Sequence, residues 1–364
     1  MNITIIGNNA FEGKISDGGR IKIRLFKRLL EREHHHVTII ELDNWKKRIF
    51  GIISSIKKAI RQKERIIIMA GPKGCRVVIP IVLMLNHKKR SKIVFCPLGI
   101  GTLDSLIRKL TPEDSQLFLS GGKSIKKNDN RMARMLSKCE YVVVQNDILK
   151  NRYISFYKLN NVVVLENFRD VVIKKKQYDN ELKMKIIYLS RVKRNKGIFD
   201  LISVVNDINS SFGLDVNLDI YGEIQMNDQD SSAFKLLLND FIHYCGVAEQ
   251  NATIDLIKQY DVFCLPTKYY GEGTPGALIE SMIAGTPALI SSYSQSSAII
   301  KNGIDGFIFT FNSVSSLKDK ILYILENKSI LAIIGENAQS TAKKYTYCFN
   351  RGFFLRYLAG DECV

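Results

Sequence analysis

Tyr269-Tyr270-Gly271-Glu272-Gly273-Thr274-Pro275-Gly276-Ala277-Leu278-Ile279-Glu280-Ser281-Met282-Ile283-Ala284-Gly285-Thr286-Pro287 lies between two short apolar runs, Val262 to Leu265 and Ala288 to Ile290. Apolar runs of this length, bounded by turn residues, read as buried strands, so the passage is strand, loop, helix, strand. Such a loop stands at the carboxyl edge of a parallel sheet. Thr274 has the side-chain oxygen of an N-cap and Pro275 suits the first helical position, which predicts a helix starting there. Gly271, Gly273 and Gly276 let a ligand approach the backbone, and the first-turn N–H groups with the helix dipole form an anion site, most often for phosphate. Glu272 in the loop and Glu280 in the second turn flank that site, where carboxylates read hydroxyls. The competing reading is a crossover whose glycines and prolines only turn the chain.

A second anion site lies upstream. After the apolar run Lys185 to Leu189 comes Ser190-Arg191-Val192-Lys193-Arg194-Asn195-Lys196-Gly197, which opens a helix from Ile198 to Ile208. A strand, a basic loop and a helix N-terminus again suit a phosphate. A diphosphate between two hydroxyl-bearing groups is the pattern of a sugar nucleotide.

Glu272 and Glu280, with seven residues between them, resemble the signature of the retaining glycosyltransferases of family 4, as do Gly285-Thr286-Pro287 and Asn302-Gly303-Ile304-Asp305-Gly306-Phe307. The resemblance implies an α/β GT-B fold: two Rossmann-like parallel-sheet domains facing a cleft, with a C-terminal helix crossing back to the first. It implies that Arg191 and Lys196 hold the leaving diphosphate, that Glu280 binds the ribose, and that Glu272 with the backbone of Gly273, Thr274, Pro275 and Gly276 holds the donor sugar. Gly18 and Gly19 would lie near the donor phosphates and the acceptor. Fixed cations and the helix dipole stand in for a metal, so no metal and no cofactor is expected beyond the nucleotide diphosphate sugar itself, a co-substrate. Two departures stand out. Gly222-Glu223 lacks the second glycine found in the family, and no histidine occurs near Phe95 to Asp104, so no catalytic base is assigned.

The 364 residues suffice for two domains. Apolar residues make up 46% and charged residues 24%, as in ordinary globular proteins. The longest apolar stretch, Val77 to Leu85, is about half of what a bilayer crossing requires. Met1 to Gly7 has no basic region and no small-residue cleavage site, so a cytoplasmic chain without a signal peptide is expected. The seven cysteines, at 75, 96, 139, 245, 264, 348 and 363, are scattered among mostly apolar neighbours, which predicts buried, reduced thiols and neither disulfides nor a zinc site.

Charge is distributed unevenly. Residues 1–170 hold 33 Lys and Arg against 15 Asp and Glu, and the rest hold 20 against 21. The first half therefore faces a polyanion, nucleic acid or an anionic membrane.

Taken in order, Asn2 to Ile6 is a strand, followed by a loop to Gly18-Gly19 and a helix from about Arg20 to Glu33. His34-His35-His36 reads as an exposed turn before the strand Val37 to Glu41. Trp45 to Glu64 is a basic amphipathic helix with apolar residues Trp45, Ile49, Ile52, Ile53, Ile56 and Ile60; its stripe packs on the sheet while its lysines face water or anionic lipid. Further strands at Arg65 to Ala70, Lys92 to Cys96, Tyr141 to Gln145 and Val162 to Leu165 alternate with helices near Cys75 to Leu85, Leu103 to Leu110 and Asn130 to Lys138. Such alternation means a parallel sheet covered on both faces. The boundaries are 1–170 for an acceptor-binding domain, 171–345 for a nucleotide-sugar domain and 346–364 for a terminal helix in which Phe349, Phe353, Phe354 and Tyr357 supply the packing face. Lys174 to Asn180 reads as the linker. Asp228-Gln229-Asp230 sits in a polar run read as a solvated loop.

The expected function is transfer of a hexosyl unit, with retention, from a nucleotide diphosphate sugar (UDP-sugar or GDP-mannose) to a lipid-linked oligosaccharide of a bacterial surface polysaccharide, O-antigen or capsule. The enzyme would sit peripherally on the inner face of the plasma membrane and bind no nucleic acid. Two alternatives stay open: a sugar-nucleotide epimerase of the same fold, and a basic nucleic-acid-binding protein, for which aromatics interleaved with the basic runs are missing.

Overall fold

Unbroken runs such as Ile3 to Ile6 and Ile66 to Ile68 have no polar alternation, and a strand of that kind is stable only where both faces of the sheet are covered. The computed structural model describes residues 1–8, 18–99, 101–103, 114–115, 118, 130–178 and 183–361. Residues 104–110 of the helix expected at Leu103 to Leu110, and residues 9–17 of the loop before Gly18, lie outside the described residues. Two compact units result, Met1–Asp170 with Tyr347–Val364, and Val171–Thr346.

In the first unit the strands are β1 (Asn2–Gly7), β2 (His36–Glu41), β3 (Arg65–Met69), β4 (Ile93–Phe95), β5 (Tyr141–Val144) and β6 (Val162–Val164), all parallel in the order β2-β1-β3-β4-β5-β6. Every residue of β3 is buried. Gly18 and Gly19 are not in a loop: they form the first turn of helix Gly18–Arg32, with ordinary helical backbone. His35 is not an exposed turn residue either, since its side chain is 8% exposed and its Nε2 lies 3.2 Å from Asp361.

A helix escaped the sequence reading, Asp147–Tyr157. Its signals were present: Asn146 accepts a bond from the Leu149 amide at 3.0 Å as N-cap, and Leu149, Tyr153, Phe156 and Tyr157 are its buried face.

The segment after Thr346 belongs to the first unit. Helix Tyr347–Phe354 places Phe354 edge-on to Phe26 at 5.1 Å and to Phe168 at 5.7 Å. Arg351 reinforces this with a 2.6 Å ion pair to Glu33. The packing face is Tyr347, Phe354 and Leu358; Phe349 and Phe353, expected inside, are 60% and 49% exposed. Helical spacing decides this, because Tyr347, Phe354 and Leu358 lie seven and four residues apart, and Phe349 and Phe353 are rotated away from that line.

In the second unit β7 (Met184–Leu189), β8 (Val216–Tyr221), β9 (Ile242–Tyr244), β10 (Val262–Leu265), β11 (Ala288–Ser291) and β12 (Phe307–Phe309) are again all parallel, in the order β12-β11-β10-β7-β8-β9. This is the doubly wound order, with its switch point between β7 and β10. Helices Ile198–Phe212, Val314–Glu326 and Ile330–Ala342 help cover the sheet with Leu201, Val205, Ile321 and Ile324 fully buried. The acidic run read as a loop is a helix, Asp228–Leu236, because Asn227 caps it by accepting from the Asp230 amide at 2.7 Å. Four thiols, of Cys75, Cys96, Cys139 and Cys264, are buried, whereas Cys245 and Cys348 are exposed, contrary to the expectation for all seven.

Candidate functional site

The loops that leave β7 and β10 emerge side by side, because the two strands pair directly, Val262 opposite Ile186 and Phe263 opposite Ile187. Sequence spacing could not show this, as about seventy residues separate the strands. The loops are locked at Gly197, which has φ 76° and packs so closely that a Cβ there would meet the Pro266 carbonyl oxygen at 1.8 Å. Only glycine fits such a crossing. The Lys268 amide then donates to the Asn195 carbonyl at 2.9 Å, joining the two loops along their backbones.

That crossing brings together two residues predicted separately. Lys196 is 6% exposed and its ammonium donates to Oε2 of Glu272. The same Oε2 accepts from the Thr267 hydroxyl at 3.2 Å. Thr267 is wholly buried, as is Gln295, whose Nε2 donates to the Glu272 backbone carbonyl at 3.1 Å. Lys196 is thus no solvated surface residue; a buried ammonium requires a partner, and Glu272 provides it. Arg191 is exposed, and its backbone is fixed by the hydroxyl of the fully buried Tyr188, which donates to the Arg191 carbonyl at 2.8 Å. Burial raises the Tyr188 phenol well above its ordinary range, so it stays protonated as that donor.

The helix after the loop runs from Gly276 to Ala284. It begins later than its sequence suggests. Pro275, with φ −63° and ψ 135°, occupies the N-cap itself and supplies no side-chain cap, while Thr274 is one residue further out and buried. The helix makes its first i to i−4 bond from the Ile279 amide to the Pro275 carbonyl, at 3.3 Å. The amides of Gly276, Ala277 and Leu278 precede it and have no acceptor within the helix, and the Pro275 side chain supplies none, an arrangement that favours negative charge. Gly285 ends the helix in the left-handed region at φ 77°, with the Thr286 amide returning to the Ser281 carbonyl at 3.0 Å. Glu280 is half-buried in the second turn and Gly273 half-buried in the loop.

Gly18 and Gly19 belong to the other unit. Asp230 of the D-x-D sequence is held by Arg194 through a 2.7 Å ion pair that keeps its carboxyl below the usual carboxylate range. Thr267, Gln295 and Tyr188 were missed by sequence reasoning. Gln295 acts from the loop after β11, where no spacing marks it. Tyr188 and Thr267 act locally, on Arg191 three residues on and Glu272 five residues on, and only the folded path of each loop turns their hydroxyls to those partners.

The loops after β7 and β10 both lie within the part of the chain that matches a known family. Residues 171–341 match the family of glycosyl transferases group 1. An uncharacterized glycosyltransferase of Methanocaldococcus jannaschii is 23% identical over 221 residues, covering 58% of this chain and 55% of that protein. The UDP-Gal:alpha-D-GlcNAc-diphosphoundecaprenol alpha-1,3-galactosyltransferase of Escherichia coli is 29% identical over 91 residues, 25% of this chain and 23% of that enzyme. The chain thus spans about half or less of the length of these relatives. Among solved structures, Anabaena Alr3699/HepE in complex with UDP and glucose superposes with a TM-score of 0.72 at 14% identity, over 99% of this chain and 100% of that one. The chain has the two-domain GT-B fold throughout, and through residues 171–341 it resembles the group 1 glycosyl transferases.

Proposed function

We propose that the protein is a retaining glycosyltransferase that moves a hexosyl unit from a nucleotide diphosphate sugar, a UDP-sugar in preference to GDP-mannose, to a hydroxyl of a lipid-linked oligosaccharide. The observation that carries this reading is the meeting of Lys196, Glu272 and the start of helix Gly276–Ala284 beside the β7–β10 switch point. Negative charge grows on the leaving diphosphate in the transition state, and cations and helix amides already aimed at it stabilise that charge without reorganising. Arg191 and the first-turn amides of Gly276 and Ala277 meet the diphosphate, with Lys196 behind them. Glu272 takes a hydroxyl of the donor sugar, and Glu280 takes the ribose. Two similar proteins support a UDP donor: the Anabaena structure is a complex with UDP and glucose, and the E. coli relative uses UDP-Gal.

The acceptor and its location are read from the first unit. The E. coli relative's acceptor is alpha-D-GlcNAc-diphosphoundecaprenol, a sugar on a lipid diphosphate. On helix Trp45–Arg61, Ile52, Ile56 and Ile60 are buried, while Lys47, Arg48, Lys57, Lys58 and Arg61 are exposed and Phe50 is 86% exposed among them. A basic face carrying an exposed aromatic suits an anionic inner leaflet. Among the described residues no helix is long and apolar enough to cross a membrane.

A screen of UDP-, GDP- and ADP-sugars by thermal stabilisation and by release of free nucleotide tests the donor reading, with excess chelator in a parallel arm. Binding of one nucleotide class with turnover that survives chelator is expected. Activity abolished by chelator and restored by manganese would overturn the metal-free reading, and no response to any nucleotide sugar would overturn the function.

A further inference from the structure

We propose that Thr267 is a positioning residue for the donor sugar: with Lys196 it loads one oxygen of Glu272 and turns the other toward the substrate. The inference rests on the donor reading above. Lys196 and Thr267 both donate to Oε2 of Glu272, and among the described residues no protein group donates to Oε1. A carboxylate with both protein donors on one oxygen keeps acceptor capacity on the other, which suits a ligand hydroxyl.

The Thr267 hydroxyl is committed to this arrangement. It is wholly buried and accepts from the Tyr269 amide at 3.2 Å, which orients its lone pair toward the backbone and its proton away. Two acceptors lie within reach of that single proton, Oε2 of Glu272 at 3.2 Å and the Asn195 carbonyl at 3.4 Å, and the nearer one is charged. A charge-assisted bond wins that competition. The residue itself is anchored from the next strand, since Ser291 donates to the Thr267 carbonyl at 2.6 Å. Gln295 completes the hold by donating to the Glu272 carbonyl at 3.1 Å, so backbone and carboxylate are fixed from two different loops. A carboxylate fixed in this way loses little freedom when the sugar hydroxyl arrives, and that pre-organisation is the function assigned to Thr267.

The contact concerns the sugar alone, which gives it a readout that general destabilisation lacks. Thr267→Val keeps the shape and removes the bond; Thr267→Ser keeps the bond and removes the methyl. The probes are the nucleoside diphosphate and the matching nucleotide sugar, titrated by calorimetry into parent and variants, with turnover measured in parallel. Thr267→Val is expected to weaken the nucleotide sugar about tenfold, the usual worth of one charge-assisted bond, while the nucleoside diphosphate binds within twofold of the parent. Thr267→Ser should restore the nucleotide sugar to near-parent binding. Equal losses for both ligands in Thr267→Val, or no loss in either, would overturn the assignment. A parent chain that binds neither probe would overturn the donor reading itself, a different failure from a parent that binds both and a variant that does not discriminate. Should Thr267→Val fail to fold by circular dichroism, Thr267→Ala carries the same comparison.

Discussion

Gly197 and the carbonyl of Pro266 touch so closely that a Cβ on Gly197 would come within 1.8 Å of the carbonyl oxygen. This contact joins the basic loop after β7 to the acidic loop after β10, and so places Lys196 against Glu272. Gly197→Ala faces two penalties, a left-handed φ of 76° and an overlap with backbone that has no room to move. The first costs about 1–2 kcal/mol, and the second adds overpacking strain of about 1–3 kcal/mol. A clear fall in the urea midpoint of unfolding is expected, with loss of nucleotide-sugar binding before the second unit unfolds. Parent-like stability would mean that the loops part easily.

Arg191 and Lys196 separate by burial. Arg191 is exposed, so Arg191→Ala should leave the melting temperature unchanged while costing several kcal/mol of transition-state stabilisation, roughly the worth of a charge-assisted contact made to the leaving group. Lys196 is 6% exposed and paired, and removing one partner of a buried pair costs about 3 kcal/mol or more. Lys196→Ala should therefore lose both activity and stability, and adding Glu272→Gln should recover part of the stability and none of the activity. Calorimetric melts beside initial rates check this. Unchanged rates in both folded single variants would remove the diphosphate assignment.

Lys176 gives a pH dependence. Its ammonium donates to the Tyr260 carbonyl and, at 2.8 Å, to the Thr286 hydroxyl, and burial lowers its pKa to about 8. An unfolded lysine titrates near 10.4. Between these values the unfolded chain binds the proton and the folded chain does not, so this residue's contribution to stability rises with pH across that window and is flat below it. The gain is about 3 kcal/mol at most, since one pKa unit is worth about 1.4 kcal/mol. Urea midpoints of the parent at pH 7 to 10 should climb relative to those of Lys176→Met, and parallel curves would show that the ammonium is not desolvated.

The basic helix predicts salt-sensitive membrane attachment. Each cation near an anionic bilayer contributes about 1 kcal/mol, so four charges suffice for reversible binding. Vesicles with anionic lipid should bind the protein at low salt and release it at high salt, whereas neutral vesicles bind poorly. Changing Lys47, Lys57, Lys58 and Arg61 to Glu should abolish binding, and Phe50→Ala should weaken it without changing the salt slope. Equal binding to neutral and anionic vesicles would point to a soluble acceptor.

The sequence alone determined what is local. Unbroken apolar runs marked the parallel strands, the glycines and Pro275 between two such runs marked the loop and helix that follow β10, and the charge counts marked the basic half. It erred where a neighbouring choice of similar energy was open. Pro275 satisfies an N-cap's extended ψ as well as a first helical turn, so Thr274 lost the cap by one residue. Asn227 outcompeted the polar character of the run after it and turned Asp228–Leu236 into helix. What only the tertiary structure decided is which distant groups meet. Lys196 and Glu272 are 76 residues apart, and the pairing of β7 with β10 closes that distance. Gln295 reaches Glu272 in a similar way, from the loop after β11, the strand beside β10. Periodicity reports which face of an element is buried, because burial is a property of each side chain and its near neighbours along the chain. Partnership across strands depends on sheet order and on the close approach that Gly197 permits, and no spacing along the sequence encodes either.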